Sequence, residues 1–346
     1  MAYTTINKST DYFNTKLYTG TGSSHAVSGI GFQPDWVWFK GRNQAYHHYL
    51  FDAVRGVNKP IHSALTNAES TQTDTLMSFD SDGFTLGSDT NNGEINSSGN
   101  TFASWNWKAG NSAGSSNTDG SITSTVSANQ TAGFSIVSYS GNASNSTVGH
   151  GLGVAPDFII IKSRTEGRSW VTGNSTSGWT KWLALESTDA ESTASSIWND
   201  TAPTNQVFSV GTSSALNNNG QNFIAYCFAQ KTGYSKFGSY VGNGSADNNA
   251  FIYTGFKPAW VMIKNTSVAD WWGIIDNKRV GYNPTNNPLF ANTSATEGNF
   301  NNDLLSNGFK IRSNTGGVGT SGNTYIYIAF AEAPLVGNNN VPCTAR

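Results

Sequence analysis

A ten-residue stretch is written three times along this chain, and that repetition constrains the fold more than any other feature. Gly31 to Lys40 (GFQPDWVWFK) returns as Gly153 to Lys162 (GVAPDFIIIK) and as Gly255 to Lys264 (GFKPAWVMIK). The prolines Pro34, Pro156 and Pro258 are 122 and then 102 residues apart. Three more landmarks keep nearly the same spacing. They are a Tyr-x-Gly start at Tyr18, Tyr139 and Tyr240, a segment centred on Phe84, Phe208 and Phe309, and a closing run at FASWNW, FIAYCF and YIYIAF. Four landmarks in one order imply three homologous units of ordinary domain size. The boundaries fall at 1–11 (N-terminal arm), 12–110 (repeat 1), 111–131 (linker), 132–232 (repeat 2), 233–334 (repeat 3) and 335–346 (tail). The linker is rich in Ser, Thr, Asn and Gly, and Ser121 to Val126 alternates well enough to form an edge strand.

Within each unit, short β-rich runs are bounded by turn residues, including Asn92-Gly93, Asn219-Gly220, Asn243-Gly244 and Asn307-Gly308. Helical periodicity is confined to short polar stretches. The expected fold is all-β: three tandem antiparallel β-sandwiches of jelly-roll or lectin-like type. In the closing run one face stays apolar in all copies, as expected of a strand packed on a second sheet. The repeat core is assigned to Trp36, Phe158 and Trp260, to Trp105, Tyr226 and Ile328, and to Trp107, Phe228 and Phe330. Trp38 is matched by Ile160 and Met262, so apolar volume persists there while aromatic identity does not, which marks core. The lysine ending each copy reads as the strand's exit to solvent, and each proline as a strand start.

Chemistry is scarce. Only 12% of residues are charged and the net charge is −2, without a basic footprint for nucleic acid or membrane. No apolar run is long enough to span a bilayer. Cys227 and Cys343 lie too far apart in sequence for a disulfide framework or metal spacing, and read as a buried thiol and a tail thiol. Gly110 to Gly114 matches a nucleophile-elbow string but leads into the polar linker, not a helix. Adjacent His47 and His48 point to opposite faces of a strand and read as surface loop. Asp80-Ser81-Asp82-Gly83 resembles a calcium-loop fragment without its closing glutamate. Asp35 and Asp157 recur without a partner carboxylate, and the third copy has Ala259. One polar pair recurs: Asp52 with Arg55 and Asp276 with Arg279, against Asn174 with Ser177 in repeat 2. It predicts a turn held by an ion pair in repeats 1 and 3 and by neutral bonding in repeat 2. No enzyme, cofactor or metal is expected.

Several strings resemble tandem domains in structural proteins of tailed bacteriophages, especially marine phages such as those of cyanobacteria. They include INKSTDYFNTKLYTGTG, SDGFTLG, GFSIVSYSGNASNSTVGHGLGVAPDFIIIKSR, YSKFGSYVGNGSADNNAFIYTGFKPAWVMIK and SGNTYIYIAFAEAP, spanning about Ile6 to Pro334. The resemblance implies a virion-surface protein made in the bacterial cytoplasm: a tail- or capsid-attached fibre or knob that adheres to host glycan. Its partners would be other virion proteins and a surface glycan, with neither nucleic acid nor membrane. A purely structural decorating or assembly protein, anchored through Met1 to Asp11, and a polysaccharide depolymerase stay open as alternatives. So do a trimer of chains and a pseudo-threefold monomer. Candidate sugar-stacking residues are the tryptophans outside the repeated landmarks: Trp170, Trp179, Trp182, Trp198, Trp271 and Trp272. The longer joint between repeats 1 and 2 is expected to allow motion, while repeats 2 and 3 should touch.

Overall fold

A computed structural model of the chain describes residues 3–90 and 93–336. Met1, Ala2, Asn91, Asn92 and the tail from Gly337, with Cys343, lie outside the described residues. The fold is all-β, in three paired-sheet units. In repeat 1 a five-stranded sheet runs in the order Phe13–Thr19, Thr101–Trp107, Trp36–Gly41, Tyr49–Asp52, Gly56–Ile61. A three-stranded sheet of His25–Ser28, Gly83–Leu86 and Leu76–Asp80 lies with it. Repeat 3 has the same order: Ser235–Val241, Thr324–Pro334, Phe256–Asn265, Trp272–Asp276, Leu289–Phe290, with Phe251–Tyr253, Gly308–Ile311 and Asn302–Leu305 in the small sheet. Repeat 2 repeats the large-sheet order through Phe134–Ser140, Asn222–Phe228, Phe158–Ser163, Val171–Asn174 and Lys181–Ala184, and its small sheet pairs Ser146–Gly149 with Val207–Val210.

The 111–131 segment is not a loose joint. Ser115–Asn117 and Ser124–Asn129 add two strands to the repeat 2 sheet. Asp35 Oδ2 accepts from the amides of Ala109 (2.7 Å) and Asn111 (3.0 Å), tying its start to repeat 1. Polar, turn-rich composition imitates a linker, yet its backbone groups are taken up by sheet pairing. Pro34 and Pro156 precede their strands, whereas Pro258 lies inside one, at a register shift that spares the ladder its missing N–H.

Every large sheet is buried on both faces. Val37 and Phe39, Ile159 and Ile161, and Val261 and Ile263 face the separate cores between the two sheets of each repeat. The alternate face carries Trp36, Trp38, Trp105 and Trp107 from repeat 1, with Phe158, Ile160, Tyr226 and Phe228 from repeat 2. Trp260, Met262, Ile328 and Phe330 come from repeat 3, and all twelve belong to one shared core. The period of two sends one residue set to each core. The apolar face kept in all copies therefore packs against the other repeats, and not against the second sheet as expected. Trp36 stacks on Tyr226 with ring centres 4.4 Å apart, and Trp107 meets Trp260 edge-on at 5.6 Å. Ile6 of the N-terminal arm is buried in the same core, and the hydroxyls of Tyr3 and Thr4 donate to carbonyls of Gly255 and Thr232. Residues 3–11 are thus packed into the body and not held out as a free anchor.

Candidate functional site

Three equivalent bonds recur at each contact between repeats, and they place most of the residues singled out in the sequence. The first uses a ring N–H. Trp170 Nε1 donates to the carbonyls of His62 (2.9 Å) and Leu65 (3.1 Å), Trp272 Nε1 to Ala184 (3.0 Å), and His48 Nε2 to Phe290 (2.9 Å). The His48 tautomer follows from its other nitrogen, which accepts from Trp38 Nε1 at 2.7 Å; indole nitrogen can only donate. Burial lowers the pKa of His48 well below the usual imidazole range, and that of His62 to about 4. The surface-loop reading fails for His48, a fully buried junction residue, while His47 beside it lies outside any strand and is half-buried.

The second bond comes from the lysines. Lys40, Lys162 and Lys264 are fully buried, which corrects the solvent-exit reading. Their ammonium groups donate across the junctions to Ser294 O (3.0 Å), Thr66 O (3.0 Å) and Thr188 O (2.9 Å). Burial lowers each pKa to about 8. The third bond is made by a glutamate three residues after each of those carbonyls. The amides of Glu297, Glu69 and Glu191 donate to Arg42 O, Arg164 O and Thr266 O. The lysine and ring donors run from repeat 1 to repeat 3, from repeat 3 to repeat 2 and from repeat 2 to repeat 1, and the glutamate amides return the bonds, closing a ring.

The Asp–Arg pairs sit beside this ring. Asp52 Oδ1 accepts from the Arg55 amide (2.9 Å), while Oδ2 accepts from Arg55 Nε (2.5 Å) and from Tyr226 Oη of repeat 2 (2.8 Å). Asp276 binds Arg279 Nε (2.6 Å) and Trp105 Nε1 of repeat 1 (3.0 Å). Asn174 Oδ1 accepts from the Ser177 amide at 2.7 Å, and the position matching Tyr226 and Trp105 is Ile328, which has no donor to offer. Asp157, like Asp35, is a clamp, accepting from the Gln230 amide at 2.8 Å. Asp82 accepts from the amides of Gly29 and Gly31, and Asp80 from Ser78 and Thr85 hydroxyls. Among the described residues no group of three or more His, Cys, Asp or Glu could hold a metal ion. Cys227 is a buried free thiol.

The structure sorts the six tryptophans. Trp170 and Trp272 are junction donors, and Trp179 and Trp198 pack edge-on at 5.2 Å in the repeat 2 core. Trp182 is half-buried against that core. A ring buried in protein cannot stack on sugar, so the assignment is withdrawn from Trp170, Trp179, Trp198 and Trp272. Trp271 alone is exposed, at 48%. Its ring lies 5.3 Å from that of Phe290, and with Phe300, Asn299 and Thr315 it lines a niche of about 80 Å³. Its amide donates to Asp270 Oδ1 at 2.8 Å. Gly316 lets that carboxylate approach, since a Cβ there would meet Asp270 Oδ2 at 2.3 Å. The Asp270 amide is in turn fixed by Thr188 O of repeat 2 (2.7 Å). Phe251 and Tyr253 expose a second aromatic strip on the same repeat, with Lys236 over the Tyr253 ring. Sequence reasoning missed that strip; its signal is an aromatic at alternate positions of a short strand in repeat 3 only.

The sequence profile of a family described as a domain of unknown function (DUF7483) matches residues 8–334. The chain belongs to this family. No curated protein and no solved structure matches it. The DUF7483 match runs through all three repeats and across both joints, as one unit.

Proposed function

We propose that this chain is a non-enzymatic adhesion knob of a bacteriophage virion, displayed on the tail or capsid and binding host-surface glycan through repeat 3. The observation that carries the reading is the distribution of exposed apolar side chains. Of the eight large ones among the described residues, six lie in repeat 3: Val241, Phe251, Tyr253, Val268, Trp271 and Tyr282. Exposed apolar side chains concentrated on one repeat mark it as the candidate interaction face. The Trp271 niche joins an aromatic ring face to nearby polar groups, the combination that suits a sugar's apolar face and its hydroxyls. The resemblance to tailed-phage proteins supplies the setting, and the ring of junctions supplies a rigid carrier. Eight strands per unit in repeats 1 and 3, split five and three, support sandwiches of lectin-like type.

A glycan array probed with the full chain and with Trp271→Ala tests this. Binding by the parent and its loss in the variant, at an unchanged melting temperature, is the expected result. Absence of glycan binding by the parent, or undiminished binding by Trp271→Ala, overturns the reading. A second reading, docking onto another virion protein, draws on the Phe251–Tyr253 strip, whose strand is the edge of its sheet. Loss of particle incorporation in Phe251→Ser with Tyr253→Ser would favour it.

A further inference from the structure

The ring is not symmetric in its side chains. At two junctions an arginine two residues after the lysine reaches the glutamate of the preceding repeat. Arg164 Nε and Nη2 lie 3.0 and 3.2 Å from Glu69, and Arg42 Nε lies 2.7 Å from Glu297. The Asp–Arg arginines close in on the same carboxylates: Arg55 at 3.2 Å from Glu69 and Arg279 at 3.6 Å from Glu297. At the contact between repeats 2 and 3, both arginines are replaced by small residues, Thr266 and Ser177. A cleft of about 410 Å³ stands there, lined by both and by Lys181, Glu191, Ser239 and Thr324 among others. Glu191 Oε1 takes the Lys181 ammonium at 2.7 Å, and its side chain is only 10% exposed. Its other oxygen, Oε2, is buried and has no partner.

We propose that this cleft binds a neutral, hydroxyl-rich ligand, one sugar unit of pyranose size. A buried carboxylate oxygen without a donor costs free energy until a donor arrives. Its own charge is already balanced by Lys181, so a cationic ligand would leave an uncompensated charge in the cleft, and an anion would face Glu191. An O–H group can donate to Oε2, while other ligand oxygens accept from the ammonium and from the rim hydroxyls, which serve as donor or acceptor. The volume is at the lower end of small-ligand sites. The inference rests on the adhesion reading for the source of the sugar and not for the site, which shares no residue with the Trp271 niche.

The test uses the full chain and a panel of neutral hexoses and N-acetylhexosamines, followed by saturation-transfer NMR and titration. Thr266→Arg restores the residue found at the other two junctions and should plug the cleft without harming the fold. The expected result is binding of at least one sugar, weakened by about tenfold or more in Thr266→Arg and in Glu191→Gln, and unchanged in Trp271→Ala. Glu191→Gln keeps the shape, so it decides the matter if Thr266→Arg fails to fold. No sugar binding by the parent, indifference to both cleft variants, or preference for methylguanidinium over every sugar overturns the inference. Binding lost in Trp271→Ala but kept in both cleft variants removes the cleft and leaves the adhesion reading standing.

Discussion

Replacing Asp52 with asparagine changes one oxygen to an amide and leaves the shape alone, so it isolates the charge. Asp52 and Arg55 are both fully shielded, and Arg55 keeps contact with Glu69 at 3.2 Å. Removing one partner of a buried pair costs about 3–5 kcal/mol; the remaining glutamate places the expectation near the lower figure, about 3 kcal/mol. Unfolding entropy near 2.1 cal/mol/K per residue gives about 0.7 kcal/mol per kelvin for this length, so the melting temperature should fall by about 4 °C. Tyr226→Phe removes a bond to the same carboxylate from the neighbouring repeat, worth about 1.5–3 kcal/mol. The double variant should be less destabilised than the sum, because both changes delete one shared bond. Asp52→Asn combined with Arg55→Ser reproduces the neutral turn of Asn174 and Ser177 and should recover stability relative to Asp52→Asn. Calorimetry of the four variants checks this. An unchanged melting temperature in Asp52→Asn, or strict additivity with Tyr226→Phe, would show that the buried charge pair does not hold the junction.

Further outcomes follow from the junction lysines and from pH. Lys264→Met should destabilise by several kcal/mol, since the carbonyls of Asn265 and Asp270 lose the ammonium and that of Thr188 keeps only the Asp270 amide, and chemical denaturation reads it directly. The three lysines are depressed to about 8, whereas in the unfolded chain they titrate near 10.4. Below pH 8 the cost of burying their charges is present in full. As pH rises from 8 towards 10 the unfolded chain holds more protons, so stability should rise across that window. Above about 10 the buried tyrosines Tyr139, Tyr226 and Tyr240, whose pKa values burial raises, turn the trend downward. A monotonic fall in melting temperature from pH 7.5 to 9.5 would contradict the burial of these lysines.

The threefold writing, the all-β class and the volume-conserving core positions were legible because period-two alternation and repeated landmarks are properties of side chains. What the landmarks face was not. Trp36 and its counterparts look the same whether they pack on their own second sheet or on another repeat, since both are simply apolar environments. The lysines misled for a related reason. Their acceptors are backbone carbonyls in loops up to 254 residues away, and a carbonyl carries no sequence signature. One sign was available: a lysine kept in three copies amid a variable polar surface. Trp170 and Trp272 lie 102 residues apart, the repeat interval itself, with His48 at the equivalent place in repeat 1. Reading them as lying outside the repeat pattern hid their junction role. Trp271 differs from Trp272 by a single position, and the strand beginning at Trp272 turns one inward and leaves the other exposed.

The three repeats share one core, so they should fold as one body. An isolated repeat 3 (233–334) would expose Phe237, Trp260, Met262, Ile274, Ile328 and Phe330, all buried in the shared core. At about 1.5–3 kcal/mol each, roughly 9–18 kcal/mol is lost, as much as the whole stability of an ordinary domain. Urea unfolding of the full chain followed by tryptophan fluorescence and by far-ultraviolet circular dichroism, beside the 233–334 fragment, tests this most directly. A shared core requires one coincident transition for the full chain and no cooperative transition for the fragment. Separate transitions for the repeats, or a fragment that folds and melts cooperatively by itself, would contradict it.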